Sequence, residues 1–183
     1  MAMHAMIDLE TMSTKHNAAI AAVGIVLFDT QSGNPDSKII TTYYANVDLQ
    51  SCEEKGLHFS GSTVTWWLKQ SKEAQAGLLS PKPKPLASVL SGVNTVLHAY
   101  NCCVWGNGAN FDVPILENAF EVCGFDRVPW AYYQVRCYRT ISNLVAKEFF
   151  PWEEGTPHNA LDDALYQTNR LLAIADECNL NLD

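Results

Sequence analysis

Ala5-Met6-Ile7-Asp8-Leu9-Glu10-Thr11 is the stretch from which the fold of this 183-residue chain can be worked out. It is apolar except at two positions two residues apart, and on an extended strand those two side chains share one face. Asp and Glu are poor strand residues, so two carboxylates in an apolar strand cost stability unless something compensates. A divalent cation does so, because carboxylates at i and i+2 both reach one ion or a pair of ions. The triplet alone is weak: 20 acidic residues in this chain give a D-x-E roughly 0.5 times by chance.

Outward from that strand, Ala18 to Phe28 is a second apolar run that closes on Asp29, Ser32, Gly33, Asn34 and Pro35, which is turn chemistry. Lys38 to Val47 reads as its hairpin partner, so the chain opens with three consecutive antiparallel strands. From Ser62 the spacing becomes helical through Val64, Trp67 and Leu68, until Pro81-Lys82-Pro83-Lys84-Pro85 interrupts as a stiff connector. A helix through Leu86 to Leu97, a short strand from Cys102 to Trp105 ended by Gly106-Asn107-Gly108, and a helix from Asp112 to Cys123 follow. Tyr132 to Tyr138 is a fifth, weaker strand. Thr140 to Phe149 and Asn159 to Cys178 read as the last helices, the latter amphipathic through Leu161, Leu165, Leu172 and Ala175. Such an order predicts an α/β or α+β layer protein with a five-stranded mixed sheet flanked by helices.

The chain is nearly half apolar and of a length that suits one domain over residues 1–183. No charged leader with a cleavage site precedes Asp8, and no apolar run is long enough to cross a bilayer. Six cysteines without a CxxC pair read as reduced thiols, so a cytoplasmic location is expected. A net charge of −8 argues against blanket electrostatic binding of nucleic acid. It leaves room for a metal-neutralised carboxylate site that touches only a strand end.

Two further constellations carry chemistry. His158-Asn159-Ala160-Leu161-Asp162-Asp163 opens the last helix, with Gly155, Thr156 and Pro157 delivering the histidine on a loop. Asp163 sits more than a turn into the helix, so the histidine can swing over a site that the carboxylate helps to build. Trp105 to Asp112 is a strand ending in a flexible loop that presents an acid at a helix N-terminus. Helix capping explains Asp112 equally well. The loop lacks a Walker lysine and the third glycine of a dinucleotide site, which sets nucleotide-cofactor binding aside.

Taken together, in this order, the three sets resemble the DnaQ-like exonuclease superfamily, in its histidine-containing (DEDDh) branch on a ribonuclease H-like fold. The matches are Asp8 and Glu10, then Asp112, then His158 with Asp163; Asn159 stands where the sister branch has Tyr. The chain looks most like a group of small exonucleases that includes phage exonuclease A and a mycobacterial exoribonuclease. Met6 to Met12, Thr65-Trp66-Trp67 and Arg136 to Thr140 are the supporting stretches. The family's spacing selects Asp163 over Asp162.

The resemblance implies a 3′–5′ exonuclease acting on single-stranded DNA or RNA and releasing nucleoside monophosphates. It also implies two Mg²⁺ or Mn²⁺ ions held by Asp8, Glu10, Asp112 and Asp163, with His158 as general base. A homodimer is a further expectation from it. Met12, Trp66, Trp67 and Phe111 are candidate surfaces for the terminal base, although a tryptophan at helical spacing is more often core. Arg136, Arg139, Lys15, Lys82 and Lys84 are candidate phosphate contacts. Two other readings stay open: a non-catalytic module binding a strand end or a protein, and an endonuclease on the same fold.

Overall fold

A computed structural model describes residues 3–30, 38–145 and 157–182. The sheet consists of β1 (Met3–Thr11), β2 (Ile20–Asp29), β3 (Ile39–Asn46), β4 (Cys103–Gly106) and β5 (Val135–Cys137), in the order β3-β2-β1-β4-β5. The pairs β1–β2 and β2–β3 are antiparallel, while β1–β4 and β4–β5 are parallel. β1 is thus the middle strand, and its apolar character follows from helices covering both faces. The described residues contain no helix long and apolar enough to cross a membrane.

Alternation along β1 sorts the core into two layers. Ala5, Ile7 and Leu9 join the larger cluster under α4 (Leu86–His98) and α5 (Asp112–Val122). Met6 faces the other way, with Val26, Phe28 and Trp105, against α7 (Ala160–Glu177). Asp8 and Glu10 share the parity of Met6 and so lie on the α7 side. A register shift between Glu10 and Thr11 breaks the alternation. Such a bulge re-aims the residues after it, and Met12 accordingly falls in the cluster of Ile7 and Leu9.

Several sequence expectations are refined. The helical region from Ser62 is two short helices, α2 (Gly61–Trp67) and α3 (Lys72–Leu78), the second capped by Ser71, whose Oγ accepts from Ala74 N at 3.1 Å. Within α2 only Trp67 is buried, whereas Val64 and Leu68 are exposed. A helix of two turns has no long apolar stripe to bury, so one tryptophan anchors it. A further short helix, α1 (Leu49–Glu54), begins at Asp48, whose carboxylate accepts from Gln50 N. The weak fifth strand is real over three residues only. Tyr132–Gln134 is a 3₁₀ turn closed by Gln134 Oε1, which accepts from Ala131 N at 2.7 Å. The next helix, α6 (Tyr138–Ser142), starts two residues before Thr140, and residues 146–149 of that expected helix lie outside the described residues, as do Gly155 and Thr156.

Candidate active site

The parallel strand β4 ends at Gly106, opposite Ile7 of β1, and the acids gather just beyond that point. Asp112 opens α5 directly after the 107–111 loop, and its Oδ1 accepts from Leu9 N at 3.2 Å, tying α5 to the strand between Asp8 and Glu10. Gly106 allows this approach: a Cβ there would stand 3.0 Å from Asp112 Oδ2. Arg139 secures the same loop, donating through Nη2 to Asn107 O at 2.7 Å and packing beside Gly108, whose φ is +93°. Only glycine takes that conformation readily.

From the other side, Asn159 caps α7 with its Oδ1, which accepts from Leu161 N and Asp162 N at 3.1 and 3.2 Å. His158 precedes it at φ 66°, a conformation few non-glycine residues adopt. Its N–H donates to Asp163 Oδ2 at 3.1 Å, so the strained residue is held by the acid five positions on. Its imidazole stands edge-on to Trp66, with ring centroids 4.9 Å apart, and 6.1 Å from Trp67. Ligand atoms of Glu10, His158 and Asp163 all lie within 4.8 Å of one another.

Four carboxylates thus converge, Glu10 and Asp112 buried and Asp8 and Asp163 partly so. Burial raises Asp8 well above the usual carboxylate range, and the charges of Asp112, Glu10 and Asp163 push it further. Burial, then Asp163 and Asp112, lifts Glu10 to about 8. Burial also lifts Asp112 to about 7, against the opposing pull of the Leu9 N–H and the Arg139 guanidinium. Asp163 is raised by burial, with His158 pulling it back. Like-charged groups so placed are unfavourable unless protonated or neutralised by cations. The donor set is hard oxygen plus one imidazole, which suits a divalent ion of the magnesium or manganese kind.

Beside Glu10 opens a cavity of about 430 Å³ lined by Leu9, Thr11, Thr14, Ser62, Thr63, Trp66, Trp67 and Phe111. Trp66 presents an exposed ring there, while Trp67 is locked in place by Nε1, which donates to Thr11 O at 3.0 Å. Trp67 and Phe111, two of the candidate surfaces for the terminal base, both line this cavity. Met12 does not line the cavity: the bulge turns it into the core, where it is 6% exposed. Arg136 folds back onto its own chain, donating to Tyr133 O and Val135 O at 2.7 and 3.2 Å. The neighbouring cation Arg139 is the one close to Asp112. Lys15, Lys82 and Lys84 are exposed. Sequence reasoning missed Gln167, which donates through Nε2 to Asp8 Oδ1 at 2.8 Å. Its position four residues after Asp163, on the same face of α7, was the available signal.

Residues 3–175 match the family model described as 3′–5′ exoribonuclease Rv2179c-like domain. An exodeoxyribonuclease of Enterobacteria phage T4 is 29% identical over 125 aligned residues, which cover 60% of this chain and 52% of the phage protein. This chain thus spans about half the length of that relative. Among solved structures, E. coli Exonuclease I in complex with a dT13 oligonucleotide is similar at a TM-score of 0.61, with 14% identity over 96% of this chain and 41% of that one. The nuclease domain of 3′hExo, a DEDDh family member bound to rAMP, is similar at 0.60, with 16% identity over 99% and 96% of the two chains. At such identities these likenesses speak to the fold, which is ribonuclease H-like as the motifs implied. By the family model, the chain belongs to the 3′–5′ exoribonuclease Rv2179c-like domain family, within the DnaQ-like exonucleases.

Proposed function

We propose that this protein is a metal-dependent 3′–5′ exonuclease that hydrolyses the terminal phosphodiester of single-stranded DNA or RNA and releases nucleoside monophosphates. The observation that carries the reading is the convergence of Asp8, Glu10, Asp112 and Asp163, close enough that the charges of their neighbours raise Asp8 and Glu10, beside a cavity of about 430 Å³. Those four would hold two divalent ions. Such ions, when bound, supply charge neutralisation at the scissile phosphate and lower the pKa of water.

The remaining work falls to this chain's own side chains. His158 takes the proton of the attacking water on an imidazole nitrogen, which lies beside the carboxylates of Glu10 and Asp163. The Asp163 carboxylate holds the His158 backbone N–H, Trp66 stands against its ring, and a ring nitrogen lies within 4.8 Å of carboxylate oxygens of Glu10 and Asp163. Trp66 and Phe111 take the terminal base in the cavity, where stacking tolerates any base. That the similar E. coli and 3′hExo structures hold an oligonucleotide and rAMP supports a strand end and a monophosphate as substrate and product. With ribonucleic substrate in the family's description and a deoxyribonuclease among the relatives, both sugars are proposed substrates.

The test is degradation of matched 5′-labelled DNA and RNA oligonucleotides with Mn²⁺ or Mg²⁺. Stepwise shortening that disappears in Asp8→Ala and Asp163→Ala is expected. An oligonucleotide left intact by the unmutated protein sinks the proposal, and cleavage of a circular single strand would point to an endonuclease.

A further inference from the structure

Asp8 stands at the centre of four carboxylates, yet on a strand its side chain keeps rotational freedom about two bonds. The group that limits it comes from the opposite layer, 159 residues away: Gln167 Nε2, 2.8 Å from Asp8 Oδ1. Gln167 is 4% exposed, and its Oε1 is buried with no hydrogen-bond partner. A buried amide with half its capacity unused costs stability, and Leu or Met would fill the same volume without that cost. The next residue shows the ordinary solution, since the Thr168 hydroxyl donates to Ala164 O at 2.8 Å. Packing therefore does not account for glutamine at 167, whereas its bond to Asp8 does.

We propose that Gln167 is a positioning residue: by pinning Oδ1 of Asp8 from α7, it fixes that carboxylate's orientation and leaves its other oxygen to the shared site. Because Gln167 and Asp163 stand one helical turn apart, α7 then presents one acid and orients a second in a single rigid unit. This inference rests on the metal-dependent reading above.

The test uses Gln167→Leu and Gln167→Met, which keep the volume and remove the donor, and Gln167→Glu, which keeps the shape and replaces the amide donor with a carboxylate. Thermal shift against Mn²⁺ concentration is expected to show a roughly 10–100-fold weaker midpoint in all three. Metal-free melting of the Leu and Met variants should be unchanged or higher. With oligonucleotide, kcat should fall at limiting Mn²⁺ and partly recover at saturating Mn²⁺, with KM steady. A midpoint within about threefold of the unmutated protein in the Leu and Met variants overturns the proposal. Should Gln167→Leu fail to fold, Gln167→Met decides. If the unmutated protein degrades no oligonucleotide, the nuclease reading falls, while the Mn²⁺ midpoints still decide the role of Gln167.

Discussion

Gly24 faces Asp8 across the β1–β2 pair, and the missing side chain at Gly24 is what lets the first turn of α7 lie on the sheet. A Cβ at position 24 would run into the carbonyl of Ala160, which is backbone and cannot swing aside. That turn leads to Asp163 and Gln167 and follows directly from His158. The Gly24→Ala variant should lose about 1–3 kcal/mol through overpacking, or about 2–4 °C of Tm per kcal/mol in a chain of this size. Activity, assayed well below the melting point, should fall further than the unfolded fraction explains, because three site residues shift with α7. Full activity beside a lowered Tm would mean that α7 docks elsewhere without harm.

The carboxylate cluster sets the sign of the pH dependence. Glu10, at about 8, and Asp112, at about 7, bind protons more tightly folded than unfolded, and Asp8 and Asp163 are shifted the same way. Their contribution is complete below the unfolded carboxyl range, near pH ~4, and is lost as pH rises through about 7 to 8. In chelator, Tm should fall across that window, and millimolar Mn²⁺ should reverse the fall. A metal-free Tm that climbs steadily from pH 6 to pH 9 contradicts the crowding.

Removing one charge should separate stability from activity. Asp8→Asn and Asp163→Asn keep the shape and relieve repulsion among the acids. Metal-free protein at pH 8 should melt higher in each, and the pH-dependent fall should shrink. Strand shortening should drop by more than the roughly 10–100-fold typical of a residue that only orients a ligand. Calorimetry and a gel assay on the same preparations check both halves, and a variant that is less stable and still active would refute the assignment.

The two adjacent tryptophans should behave differently. Trp66 is exposed on the cavity, so Trp66→Ala should raise KM for an oligonucleotide by the equivalent of about 1–3 kcal/mol of stacking and leave the fold intact. Trp67 is buried and bonded to Thr11 O, so Trp67→Ala should cost about 3–5 kcal/mol of stability. Equal melting temperatures for the two variants would count against this division.

How much of this was legible in the sequence depends on the range of the interactions. Strand period places Asp8 and Glu10 on one face, and helical geometry places His158 a turn ahead of Asp163; both are local, so the chain's own order determines them. Met12, a candidate surface for the terminal base, is instead buried with Ile7 and Leu9, because a single bulge after Glu10 reverses the strand's parity, which no local pattern announces. The apolar spacing of Val64 and Leu68 suggested a buried stripe, but a two-turn helix held by Trp67 alone leaves both exposed. Asp112 could equally have been a helix cap. Its acceptance of Leu9 N–H from 103 residues away is what brings it to the other acids. The sequence by itself determined which residues carry charge and which strand or helix face each occupies, because those follow from backbone period. Only the tertiary structure decided that Gly24 and Gly106 make room, that Gln167 holds Asp8, and that burial raises all four acids while their neighbours' charges raise Asp8 and Glu10 further. Close approach and desolvation are properties of chain segments meeting in space, and no local pattern encodes them.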